Sequence, residues 1–171
     1  MPNGSLFTPE ERRRSLARRM VGLLKDKELR IAFAESCTGG LCAAEVVAIP
    51  DASAVLDASV VTYSNEMKTA LVGVRPETLA AHGAVSEEVA GEMAEGVARV
   101  TGADVGVGIS GIAGPTGGTP EKPVGTVAFG FSVGGQLHTE IRHFEDLDRN
   151  GVRDAAVRHV YATVGELVSM R

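Results

Sequence analysis

The chain has 171 residues, 44% hydrophobic and 23% charged, with a formal net charge of -5. That length and balance suit one globular unit with a real core and exclude a disordered chain. The acidic charge and the 4% aromatic content, without Trp, argue against a nucleic-acid partner, which calls for a basic field and stacking rings. No apolar run approaches the roughly 18 residues of a membrane span, and the charged N-terminal segment lacks a signal-peptide core. The expectation is a single domain over 1–171, in the cytoplasm.

A helix is predicted from Thr8 to Lys25, with Leu16, Met20, Leu23 and Leu24 at helical spacing and Pro9 in its first turn. Its arginines, Arg12, Arg13, Arg14, Arg18 and Arg19, read as a solvated basic face balanced by Glu10 and Glu11. Arg30 to Ser36 is a short apolar strand, followed by Thr38-Gly39-Gly40 and an Ala-rich helix that ends before Pro50. Val55 to Ser64 is a Val-rich strand, after which Asn65 is expected to cap a helix running to about Leu71. A short helix covers about Pro76 to Ala81. Ser86 then caps a helix whose buried stripe is Val89, Met93, Val97 and Val100.

In the centre, Val105, Val107 and Ile109 alternate with Gly106, Gly108 and Ser110, a strand with one large face and one nearly bare face. The segment from Thr126 to Val133 repeats the pattern, with Val127, Phe129, Phe131 and Val133 against Thr126, Ala128, Gly130 and Ser132. Bare faces admit either a closely packed helix or a ligand lying on backbone. Gly134-Gly135 signals a hairpin into a strand from Gln136 to about Glu145. Val152, Ala156, Val160, Val164 and Leu167 or Val168 mark a closing helix. Strands alternating with helices, then one hairpin, predict an α/β fold: a three-layer α/β/α sandwich with a mixed, mostly parallel sheet.

Three segments carry possible chemistry: AESCTGG (34–40), YSNEMK (63–68) and SGIAGPTGGTPEKPVGTV (110–127). Each follows a predicted strand, at the sheet edge where ligands collect in α/β folds. Ser36, between a strand and a helix, is either a helix cap or a nucleophile whose oxyanion faces the N–H groups of Thr38, Gly39 and Gly40. A serine needs a base, and these segments hold no histidine; Lys68 can fill that role if its amine is kept neutral, with Tyr63 beside it. The alternative is a surface lysine paired with Glu66 and a Tyr filling a half-buried strand position. Cys37 is a competing nucleophile or a small buried residue.

The run from Gly111 to Gly118 matches neither a Walker nor a Rossmann glycine pattern. It is a connecting loop or a backbone-rich wrap for a phosphate or amide, with Lys122 able to add charge. Arg149 and Arg153 open the last helix, where a cation is disfavoured, which points to an anion or a salt bridge nearby. Cys37 and Cys42, five apart on one helix, are poorly placed for a disulfide. His82, His138, His143 and His159 show no zinc-ligand spacing, so neither a metal nor a cofactor is expected.

Taken jointly, the three segments resemble the C-terminal domain of the competence-damage-inducible protein CinA, a family whose stand-alone members are nicotinamide-nucleotide amidases. The resemblance runs from about residue 10 to the end. It implies an α/β/α layer fold and metal-free hydrolysis of nicotinamide mononucleotide to nicotinate mononucleotide and ammonia. It also implies catalytic roles for Ser36, Tyr63 and Lys68, with the proton passing to Lys68 directly or through Tyr63. An arginine of a Gly-Asp-Arg stretch falls on Arg149, although Leu147 replaces the glycine here. Arg149, with the loop glycines Gly111 and Gly114, is thereby expected to hold substrate. A non-catalytic pyridine-nucleotide-binding module and a hydrolase of another small amide remain open, as does a homo-oligomer.

Overall fold

A computed structural model describes residues 7–171. The first six residues, part of both the 1–171 domain and the polar N-terminus considered above, lie outside the described residues. Helix α1 (Pro9–Asp26) starts on a capping box: the Thr8 hydroxyl accepts the Glu11 N–H, and the Glu11 carboxylate accepts the Thr8 N–H at 2.7 Å. Then come β1 (Ile31–Glu35), α2 (Leu41–Val47), β2 (Leu56–Val61), α3 (Asn65–Val72), α4 (Pro76–His82) and α5 (Glu87–Thr101). Strand β3 (Val105–Gly111), the hairpin of β4 (Thr126–Val133) and β5 (Gln136–His143), and α6 (Arg149–Ser169) complete the order.

The five strands form one sheet in the order β2-β1-β3-β4-β5. Strand β1 pairs in parallel with β2 and β3, while β4 is antiparallel to both its neighbours. Four strands therefore share one direction and β4 alone opposes them. Phe33, Val107, Ile109, Phe129 and Phe131 face one layer, where they meet α1, α2 and α6 through Met20, Leu24, Val46, Val160 and Val164. Ala32 and Ala34 face the other, against Val72 of α3 and Val89, Met93 and Val97 of α5. The mixed α/β/α sandwich expected from the alternation of elements is the fold that forms. Among the described residues no helix is long and apolar enough to cross a membrane.

The bare strand faces are covered by α5. A Cβ on Gly106 would collide with the Ala94 carbonyl oxygen, and one on Gly108 or Gly130 with that of Ala90. Close helix packing, and not a ligand, explains the glycines there. Two local expectations change. The cap of α3 is Ser64, whose hydroxyl accepts the Met67 N–H, so Asn65 is the first helical residue and β2 ends at Val61. Val100 is exposed, because the last turn of α5 runs past the apolar cluster that buries Val97.

The α1 arginines also divide in a way periodicity did not show. Arg13 is half-buried between Glu45 of α2 and Asp154 of α6, pairing with both and tying three helices together. Its neighbour Arg14 pairs with Glu10 at the surface.

Candidate active site

The chain leaves β1 toward β2 on one side and later returns to β3 on the other. The carboxyl ends of β1 and β3 thus flank the switch point at which α/β sheets open a crevice. Glu35 and Ser36 sit there with their side chains on opposite faces. The Glu35 carboxylate is wholly buried and accepts the N–H groups of Gly40 (2.9 Å), Cys42 (3.1 Å) and Ala43 (3.2 Å), along with the Ser59 hydroxyl (3.0 Å). An anion at the first turn of α2 satisfies donors that the helix cannot satisfy itself. Gly39 and Gly40, at φ of 60° and 91°, make the turn that brings those donors round.

Ser36 faces the other way, toward α3. Lys68, only 1% exposed, places Nζ 3.1 Å from Ser36 Oγ, 2.8 Å from the Thr62 carbonyl oxygen and 3.2 Å from that of Tyr63. Burial is the main force on this amine and lowers its pKa from the usual 10.5. A neutral amine has two N–H groups and one lone pair. Charged, Nζ donates to Ser36 Oγ and to both carbonyls; neutral, its two N–H groups would serve the carbonyls and its lone pair would be left for the Ser36 hydroxyl proton.

Tyr63 contributes its carbonyl to that arrangement, while the residue is 64% exposed and its hydroxyl lies 3.4 Å from the Arg149 guanidinium. Among the described residues that hydroxyl has no hydrogen bond to Ser36 or Lys68. Arg149 also donates to the Gly114 carbonyl at 2.6 Å, fastening the glycine loop to α6. Arg153 donates to the carbonyls of Cys37 (3.2 Å) and Thr38 (3.0 Å), so backbone oxygens answer the cation expected to mark an anion. Lys122 reaches across to the His82 carbonyl at 2.7 Å.

Of the residues singled out from sequence, Ser36, Tyr63, Lys68, Gly111 and Arg149 line one cavity of about 220 Å³. Thr38, Gly39, Gly40 and Gly114 are not part of its lining. The Gly39 N–H is bonded to the Ser36 carbonyl and that of Gly40 to Glu35. The Thr38 N–H has no hydrogen-bond partner among the described residues, while that of Cys37 lies against its own thiol. Cys37 also lines the cavity, but burial pushes its thiol up to about 12, the opposite of an activated thiolate. Both cysteines are free. Among the described residues, no three His, Cys, Asp or Glu side chains gather in a way that could hold a metal ion.

Sequence reading passed over three contributors. Asn65 and Ser110 line the cavity, and Glu35 anchors the turn behind it. The signal for Glu35 was a carboxylate closing an otherwise apolar strand. For Ser110 it was a hydroxyl ending a face otherwise made of glycine.

Comparison with known proteins identifies the family and the fold. Residues 13–168 match the model of the CinA C-terminal domain. A CinA-like protein of Thermotoga maritima is 52% identical over 134 residues, covering 78% of this chain and 32% of that protein. The CinA-like protein of Kosmotoga olearia is 49% identical over 143 residues, 83% of this chain and 34% of that one. The crystal structure of a CinA superfamily protein from Klebsiella pneumoniae superposes with a TM-score of 0.89 at 41% identity, covering 93% of this chain and 99% of that one. The competence/damage inducible protein CihA from Agrobacterium tumefaciens gives 0.89 at 38% identity, with 96% and 99% covered. The chain belongs to the CinA C-terminal domain family. It spans about a third of the length of the curated relatives it matches.

Proposed function

We propose that this chain is an amidohydrolase that converts nicotinamide mononucleotide to nicotinate mononucleotide and ammonia, with Ser36 as nucleophile and Lys68 as its base. The observation that carries the reading is the 3.1 Å contact between a buried lysine amine and a cavity-facing serine hydroxyl. Neutral Lys68 takes the Ser36 proton directly as Oγ attacks the amide carbon. The proton on Nζ then passes to the amide nitrogen, the C–N bond breaks, and ammonia leaves an acyl-serine. Water attacks that ester, giving its proton to Lys68. The amine finally returns a proton to Ser36 as the acid departs.

Arg149 at the mouth supplies a fixed cation for the substrate phosphate, and the exposed Tyr63 ring presents a π-face to the cationic pyridine ring. Both roles set the amide in place before attack. The direct test is ammonia release by the purified chain from nicotinamide mononucleotide, with Ser36→Ala as control. Release by the wild-type chain and its loss in the variant are expected. Wild-type turnover retained by Ser36→Ala would remove the serine from its role.

A further inference from the structure

Glu35 pairs with Ile109 across β1 and β3, and with Val61 across β1 and β2. The next residues, Thr62, Ser36 and Ser110, consequently form a row at the sheet edge on one face. Lys68 comes down on the Thr62 side of that row, where it bonds the Thr62 carbonyl. Ser110 stands on the other side of Ser36, at the switch-point crevice. It is 1% exposed, lines the cavity and has no side-chain hydrogen bond to any described residue. What remains of its surface opens into the cavity, so the hydroxyl is left unpaired within the protein and available to a group bound there.

Resting on the amidase reading, we infer that the Ser110 hydroxyl is the side-chain donor to the oxyanion formed when Ser36 attacks. The same lysine that accepts the serine proton must later protonate the leaving nitrogen. The scissile C–N bond is therefore directed to the Lys68 side of Ser36. The carbonyl oxygen points the other way, across the crevice toward Ser110. A donor aimed where charge develops acts on the transition state more than on bound substrate, so its loss falls on kcat and spares KM.

Two readouts test this. In ammonia release, Ser110→Ala is expected to lower kcat by about 100-fold or more, the scale set by single oxyanion donors, with KM within about threefold and an unchanged melting midpoint. Pyridine-3-boronic acid, which forms a tetrahedral adduct on a nucleophilic serine, is expected to bind the variant at least about tenfold more weakly than wild type. A kcat within about threefold of wild type, or a loss confined to KM, would overturn the assignment. If the wild-type chain releases no ammonia, the amidase reading fails, and the boronate comparison still decides on Ser110. Equal boronate affinity, or no adduct with either protein, counts against it.

Discussion

The Glu35 carboxylate accepts the Gly40 N–H at 2.9 Å, so the residue before Ser36 holds the turn on which Ser36 is presented. Replacing Glu35 by Gln puts an NH₂ group among four donors. About 2–4 kcal/mol of stability should be lost, measured by urea unfolding, since buried donors are left without acceptors. Because Ser36 would shift relative to Lys68, kcat should fall by more than KM rises. Unchanged stability would show that the turn holds itself.

Lys68→Arg keeps a cation but cannot provide a neutral nitrogen, because a guanidinium does not lose its proton in proteins. Ammonia release should drop by at least about 100-fold, in steady-state assays. The same depressed pKa carries a stability signature. Between it and 10.5 the unfolded chain binds more protons at this site than the folded one, so this term makes wild-type stability rise with pH across that window. Denaturation of Lys68→Met over the same pH range should lack that slope, and an identical slope in both proteins would show that the amine is charged when folded.

Cys37 sits in the cavity wall with its thiol raised by burial to about 12. Cys37→Ala should keep kcat within about threefold of wild type, and the native protein should react slowly with iodoacetamide at neutral pH. Loss of turnover in this variant would restore the thiol as a candidate nucleophile.

Gly108 lies against the backbone of α5, where a Cβ would meet the Ala90 carbonyl oxygen, the Met93 Cβ and the Ala94 nitrogen. Gly108→Ala should cost about 1–3 kcal/mol or more in denaturant unfolding, as overpacking forces the helix from the sheet. A neutral effect would mean that α5 can slide without penalty.

Much of this arrangement was legible because it is local. Ser36, Tyr63 and Lys68 lie in short segments that each follow a strand, and strand ends at one sheet edge converge in an α/β fold. The choice between a helix and a ligand on the bare faces of β3 and β4 was not legible. It depends on how α5 lies against the sheet, a contact between segments far apart in sequence. The same reason hid the distant partners of Arg153, two carbonyls more than a hundred residues earlier. It also hid the role of Glu35, whose four donors come from the next turn and from β2. The Ser64 cap was missed for a smaller reason: both Ser64 and Asn65 are good caps, and only the chain's exit from β2 decides between them.

The claim beneath the mechanism is that the Lys68 amine is uncharged at working pH in the folded chain. Nitrogen-15 labelling of lysine, with the Nζ resonance assigned by its loss in Lys68→Met, follows that one proton directly. The account predicts a titration midpoint below the ordinary 10.5, coinciding with the acid limb of kcat/KM for ammonia release. A midpoint at or above 10.5 would contradict it.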